Sequence, residues 1–153
     1  MNITGQQTIL KKLPIGIQTF RDIRDKDENY LYVDKTDIAL ELISSSRYIF
    51  LSRPRRFGKS LFMDTLQNIF EGNKKLFEGL DIYDKWDWEI KYPVIKILFG
   101  KIENKEQLQD TIMDILEVNG ERLGIKCKNT KDYSICFRDL IKKSYEKHNQ
   151  KVV

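Results

Sequence analysis

A basic loop that ends in Gly58-Lys59-Ser60 contains the residues best suited to chemistry in this chain of 153 residues. The loop reads RPRRFGKS from Arg53 to Ser60, follows the apolar run Tyr48–Leu51 and precedes apolar residues at helical spacing. In a strand–loop–helix context, the backbone N–H groups of such a loop and the positive end of the helix bind phosphate groups. Lys59 would contact the β- and γ-phosphates of a nucleotide, and the Ser60 hydroxyl would bind Mg²⁺. The loop departs from the pattern G-x-x-x-x-G-K-[ST] at Arg53, which takes the position of the first glycine.

The elements that flank this loop predict an α/β fold. Short apolar runs favour strands at 30–33, 48–51 and 94–99. Helices are predicted after Thr36 as the N-cap residue, directly after the loop with a stop at Gly72, from the capping pair Asn104 and Gln107, and around Phe137–Tyr145. Alternating strands and helices predict a P-loop NTPase-type three-layer αβα architecture with a mainly parallel sheet, incomplete at its C-terminal end.

The loop and its surroundings resemble the predicted AAA-ATPase-like family of bacteria and archaea, in which RPRRFGKS replaces the glycine-first form. The resemblance extends upstream through LPIG at 13–16 and YVDKT at 32–36, and downstream through FEGL at 77–80 and YPV at 92–94. It implies that a P-loop domain binds ATP with Mg²⁺, and it makes Arg53 a family trait. The residues expected to bind the cofactor are Arg53, Arg56, Phe57, Gly58, Lys59, Ser60 and Leu61, with Ser60 as the Mg²⁺ ligand. Family members often carry a PD-(D/E)XK nuclease-like domain after the ATPase, and nothing in this chain matches one.

The expected organisation is an N-terminal extension over 1–46, with a short strand and a helix, followed by a P-loop ATPase core over 47–153. Hydrolysis needs an acidic motif at the end of a further strand. Residues 151–153 resemble the start of that strand, so we expect the core to be truncated before it and the chain alone not to hydrolyse ATP. Asp34, at the end of a predicted strand, has two interpretations: it joins the Mg²⁺ shell, or it caps the next helix. Chain order favours the cap.

A second class of function stays open at this point: a non-enzymatic basic fragment that binds protein or nucleic acid, with a vestigial P-loop. Arg53, Arg55 and Arg56 could present a basic edge to nucleic-acid phosphates, but a net charge of +4 is too mild to argue for it. An exposed sheet edge would favour a protein partner or self-association. No apolar stretch approaches the roughly 20 residues of a membrane span. Cys127 and Cys136 are expected to be reduced thiols of a cytoplasmic protein.

Overall fold

The computed structural model describes residues 10–100, 104–127 and 132–153. These contain five α-helices and one 3-10 helix, Lys74–Phe77. The α-helices are α1 (Phe20–Ile23), α2 (Thr36–Ser45), α3 (Lys59–Phe70), α4 (Lys105–Leu123) and α5 (Tyr133–His148). The chain divides into two compact units, one with the residues through Asn68 and Asn73–Asp87, the other with Ile69–Gly72 and Trp88–Val153. Each unit is described by itself.

The core of the first unit is built around Phe20, which is fully buried. Its ring lies edge-on to Tyr32, with centroids 5.3 Å apart, and packs against Phe77 at 4.8 Å. The backbone N–H of Phe20 donates to the Asp64 carboxylate on α3 at 2.8 Å. The Arg24 guanidinium stabilises the C-terminal end of the 3-10 helix, because it donates to the backbone carbonyls of Leu76 and Glu78. The segment before α2 is thereby fixed to the helix that follows the basic loop.

The start of α2 is organised by Asp34, two residues before the helix. One oxygen of its carboxylate accepts hydrogen bonds from the backbone N–H of Thr36 at 2.9 Å and from the Thr36 hydroxyl at 2.7 Å. The other accepts from the backbone N–H of Asp81 at 2.8 Å. The fully buried Thr36 hydroxyl accepts from the N–H of Ile82. Thr36 is therefore the first residue of the helix and not its cap, which is the role the sequence predicted for it.

The second unit packs α4 against α5 around Leu116, Leu123, Ile125, Cys136 and Leu140. The buried Asn119 on α4 binds the backbone of Lys96 with both ends of its amide. Its Oδ1 accepts from the N–H of Lys96 at 2.9 Å, and its Nδ2 donates to the Lys96 carbonyl at 2.9 Å. A side chain thus satisfies the two backbone groups that a neighbouring strand would otherwise satisfy.

The predicted parallel sheet is wrong, because the described part of the chain contains no strand. Near the first predicted strand there is one isolated parallel bridge, between Lys12 and Tyr30. Residues 48–51 form no strand, and their side chains are exposed, with Tyr48 at 86% and Phe50 at 92%. In the third run, the side chain of Asn119 forms hydrogen bonds with the backbone of Lys96. The N–H of the neighbouring Ile95 donates to the backbone carbonyl of Val153 at 2.7 Å. A strand requires a paired neighbour, and an apolar run does not specify one.

The local helix signals were more reliable than the strand signals. Asn104 caps α4 by accepting from the N–H of Gln107 at 2.8 Å, as predicted. Gly72, with φ +73°, follows the end of α3. The expectation of reduced thiols is wrong, because Cys127 and Cys136 form a disulfide. Spacing alone did not indicate it, since the α4–α5 packing determines which side chains meet.

Candidate functional site

The basic loop lies on the surface of the first unit and leads directly into α3. Residues 53–58 are all exposed. Arg56 and Gly58 have positive φ, +66° and +72°, which turns the loop sharply before the helix begins. Glycine adopts this conformation at no steric cost, whereas a side chain at Arg56 is strained there. Backbone N–H groups at left-handed turns of this kind form concave anion sites.

Lys59 ties the two ends of the loop together. Its ammonium group donates to the backbone carbonyl of Arg53 at 2.6 Å and to that of Pro54 at 2.7 Å. An ammonium group has three N–H donors. Two are therefore directed at the loop's own carbonyls, and the third is available for a ligand oxygen. Arg53, at the position of the missing glycine, contributes its backbone carbonyl to this contact. The contact therefore does not depend on which side chain stands at position 53.

The N-terminal end of α3 has positive character that no acidic side chain of its first turn neutralises. The helix begins at Lys59, its first turn contains no acidic residue, and the N–H of Phe62 donates to the Gly58 carbonyl at 2.9 Å. The N–H groups of the preceding residues, Ser60 and Leu61 among them, have no carbonyl acceptor within the helix. Together with the helix dipole, they favour an anion in front of Ser60, whose side chain is exposed.

A groove of about 760 Å³ runs along this side of the loop. One wall consists of loop and helix residues, namely Arg55, Arg56, Gly58, Lys59, Ser60 and Leu61. The other wall is the segment Pro14–Gln18. Among the residues that the structure describes, three basic side chains and no acidic one line the groove. The sequence pattern assigned Pro14–Gln18 no role in the site, although LPIG at 13–16 contributed to the family resemblance.

A smaller cavity, of about 160 Å³, lies against other residues of the same loop. Arg53 and Phe57 line it together with apolar side chains such as Leu51 and Phe62. Burial raises the pKa of the hydroxyl of Tyr32, another lining residue, although a hydrogen bond with Thr65 acts in the opposite direction. The predicted site residues therefore divide between two spaces. Arg56 and Ser60 line the groove, Arg53 and Phe57 line the small cavity, and Gly58, Lys59 and Leu61 line both.

Asp34 is occupied by structural bonds and lines neither space. Partial burial raises the pKa of its carboxyl group, but hydrogen bonds from the N–H of Asp81 and from Thr36 outweigh this effect and hold the pKa below its ordinary value. The charged carboxylate stabilises the start of α2 and the turn at Asp81, because it accepts hydrogen bonds from both. This geometry supports the cap interpretation of Asp34 over the Mg²⁺ interpretation.

Two general properties of the described residues concern metals and membranes. Residues 10–100, 104–127 and 132–153 hold no group of three or more His, Cys, Asp or Glu side chains that could bind a metal ion. A Mg²⁺ ion bound by one hydroxyl, phosphate oxygens and water does not require such a group. None of the helices in the same residues has the length and apolar character needed to cross a membrane.

The chain belongs to the AAA-ATPase-like family described as "Predicted AAA-ATPase", whose model matches residues 14–153. The resemblance in the sequence is thereby confirmed. Membership implies the use of a nucleotide and Mg²⁺ in general terms.

A curated relative from Azotobacter chroococcum mcd 1, described as an uncharacterized protein in the vnfD 5′ region, is 48% identical over 145 residues. The match covers 94% of this chain and 28% of the relative, so the chain spans less than a third of that protein. No solved structure matches the chain.

Proposed function

We propose that this chain binds Mg·ATP through the loop Arg53–Leu61. The observation that carries the proposal is the position of Lys59. Its ammonium group bridges the Arg53 and Pro54 carbonyls at the N-terminus of α3, whose first turn contains no acidic residue. A phosphate group placed there would accept bonds from the remaining Lys59 N–H and from the backbone N–H groups at the start of α3. Arg55 and Arg56, which line the same groove, would add charge-assisted contacts to the phosphates.

In this proposal Ser60 is the protein ligand of Mg²⁺, and the ion bridges its hydroxyl to phosphate oxygens. Hydrolysis is a separate matter, because it requires an acidic residue to order the Mg²⁺ shell and the attacking water. The described part of the groove lining contains no acidic side chain, and the carboxylate of Asp34 is bonded to the start of α2. We therefore propose ATP binding without hydrolysis for this chain on its own. A cytoplasmic location and a protein partner stay predictions from the sequence.

The test is a thermal unfolding experiment with and without Mg·ATP, on wild type and on Lys59→Ala. Ligand at about 100 Kd stabilises a one-site protein by about 2.7 kcal/mol, which corresponds to several degrees for a domain of this size. We expect the shift in wild type and its loss in Lys59→Ala. Arg47→Ala is the matched control, because it removes an exposed positive charge just outside the loop and should keep the shift.

An equal shift in wild type and Lys59→Ala would refute the proposal. Binding of DNA or RNA that persists in Lys59→Ala, weakens with salt and needs Arg55 and Arg56 would support the non-enzymatic alternative instead.

A further inference from the structure

The disulfide between Cys127 and Cys136 lies in the second unit, and nucleotide binding leaves it unexplained. Cys127 lies just beyond the end of α4, and Cys136 lies in the first turn of α5, nine positions further along the chain. The two cysteines differ in their surroundings. Cys136 is 2% exposed and belongs to the core between the helices, whereas Cys127 is half-buried and packs against that core. The bond therefore runs from the edge of the core into its interior.

A second groove, of about 890 Å³, leads to this disulfide. Both cysteines line it, together with Lys126 and, from α4, side chains that include Glu117 and Glu121. Cavities of roughly 300–1,000 Å³ accommodate drug-sized molecules, so a small dithiol has room to approach the bond. Because Cys127 is the more exposed of the two cysteines, its sulfur is the one that an attacking thiolate reaches first.

The pairing of α4 with α5 has supports that do not involve the disulfide. The Lys143 ammonium group on α5 donates at 2.6 Å to the carbonyl of Lys126, the residue before the first cysteine. One turn further along α5, the Lys147 ammonium group donates to the Leu123 carbonyl at 2.9 Å. Leu140 on the same helix is fully buried in the core that the two helices share. These contacts keep the helices packed when the sulfur–sulfur bond is open.

We propose that the Cys127–Cys136 bond is a reversible redox switch, opened by a dithiol, that sets the stability of the second unit. In the first step, a thiolate of the dithiol attacks the Cys127 sulfur and forms a mixed disulfide, and the Cys136 sulfur leaves with the electron pair of the broken bond and takes up a proton. The second thiolate of the dithiol then attacks the reductant's own sulfur in the mixed disulfide. This closes the reductant's disulfide and releases Cys127 as a thiol. Two electrons and two protons thus pass from the dithiol to the protein.

The two states of the switch differ in stability and not in fold. The closed bond restricts the unfolded chain, and opening it removes this restriction. The folded state keeps its core and the bonds from Lys143 and Lys147. Reduction should therefore lower the urea midpoint of the second unit by roughly 1 M while the helical circular dichroism signal stays the same. The switch goes beyond the proposed function and does not depend on it, because neither cysteine belongs to the unit that contains the basic loop.

The experiment combines thiol trapping with urea denaturation. Wild type, purified without reductant, is treated with dithiothreitol in the absence of urea and then alkylated, and mass spectrometry counts the free thiols. We expect both thiols to appear in the folded protein, and oxidised glutathione to close the bond again. Urea denaturation of the oxidised and the reduced protein then gives the difference in midpoint. The double substitution Cys127→Ala and Cys136→Ala is the control, because without the bond its midpoint should be the same with and without dithiothreitol.

Four results would overturn the switch. A bond that dithiothreitol opens only in the presence of urea would be a permanent cross-link. Loss of the helical signal on reduction would show that the unit cannot fold without the bond. Thiols that oxidised glutathione does not convert to the disulfide would exclude a reversible bond, and equal urea midpoints of the two states would exclude control of stability. All four results come from wild type, so none depends on whether the double variant folds.

Discussion

Replacing Asp34 by alanine should destabilise the first unit without impairing nucleotide binding. The substitution removes the acceptor of the Thr36 N–H and hydroxyl and the acceptor of the Asp81 N–H. Asp34 precedes the N-cap residue Lys35, and loss of a side-chain acceptor for the first N–H groups of a helix costs about 1 kcal/mol. Loss of the bond to Asp81 adds about 1 kcal/mol, a value at the low end for a charged acceptor because the carboxylate is exposed to solvent. The free energy of unfolding should therefore fall by about 2 kcal/mol.

The effect should depend on pH in a defined direction. The pKa of Asp34 is lowered in the folded protein, so the ionised carboxylate is favoured by folding. Its stabilising contribution is present above the ordinary aspartate pKa of about 3.9 and is lost as the pH falls through the lowered value. The difference between wild type and Asp34→Ala should thus be constant from about pH 7 to 5 and should shrink below about pH 4.

Urea denaturation followed by circular dichroism measures this effect. With an m-value of about 1–3 kcal/mol/M, a loss of about 2 kcal/mol lowers the midpoint by roughly 1 M. Asp84→Ala is the control, because Asp84 is an exposed carboxylate of the same unit and should leave the midpoint unchanged. Mg·ATP should bind Asp34→Ala as it binds wild type. An unchanged urea midpoint together with lost Mg·ATP binding would refute the structural role and assign Asp34 to the Mg²⁺ shell.

Two further substitutions test the loop and the second unit. Gly58→Ala should lower the free energy of unfolding by about 1–2 kcal/mol through its positive φ alone, because the new Cβ would meet nothing within 4 Å. It should also weaken ATP binding. Gly100→Ala, at a position without positive φ, should change neither stability nor binding in parallel melts and titrations. Asn119→Ala should lower the stability of the second unit by about 3 kcal/mol, because it removes the buried amide that accepts from the N–H of Lys96 and donates to its carbonyl. A loss below about 1 kcal/mol in urea denaturation would show that water replaces the amide.

Helices α2 to α5 could be predicted from the sequence because their signals are local, whereas α1 and the 3-10 helix were not predicted. The cap at Asn104 acts three residues along the chain, and Gly72 marks the end of α3 just beyond its last residue. The strands could not be predicted in the same way, because pairing depends on residues far apart in sequence. Lys96 illustrates the difficulty: its backbone partner is the side chain of Asn119, 23 residues away and in a helix.

The candidate site was predictable in part. RPRRFGKS identified the loop and the family, but it gave no information about what lies opposite. Pro14–Gln18 became part of the groove through two contacts that spacing does not encode, the bond from Phe20 to Asp64 and the burial of the Phe20 ring. Likewise, the motif assigned Lys59 to phosphates, whereas its bonds to the Arg53 and Pro54 carbonyls emerge from the turn of the loop.

The exposed aromatic residues just before the loop affect how ligand binding can be measured. Tyr48 and Phe50 are 86% and 92% exposed in the folded chain. Environment-sensitive dyes fluoresce when they bind exposed apolar surface, so the native protein should already give a strong signal at low temperature. A dye-based melt would then start from a high baseline and obscure a ligand-induced shift. Circular dichroism or the fluorescence of Trp86 and Trp88 reports unfolding without this background. Light scattering at several protein concentrations would reveal association through Tyr48 and Phe50.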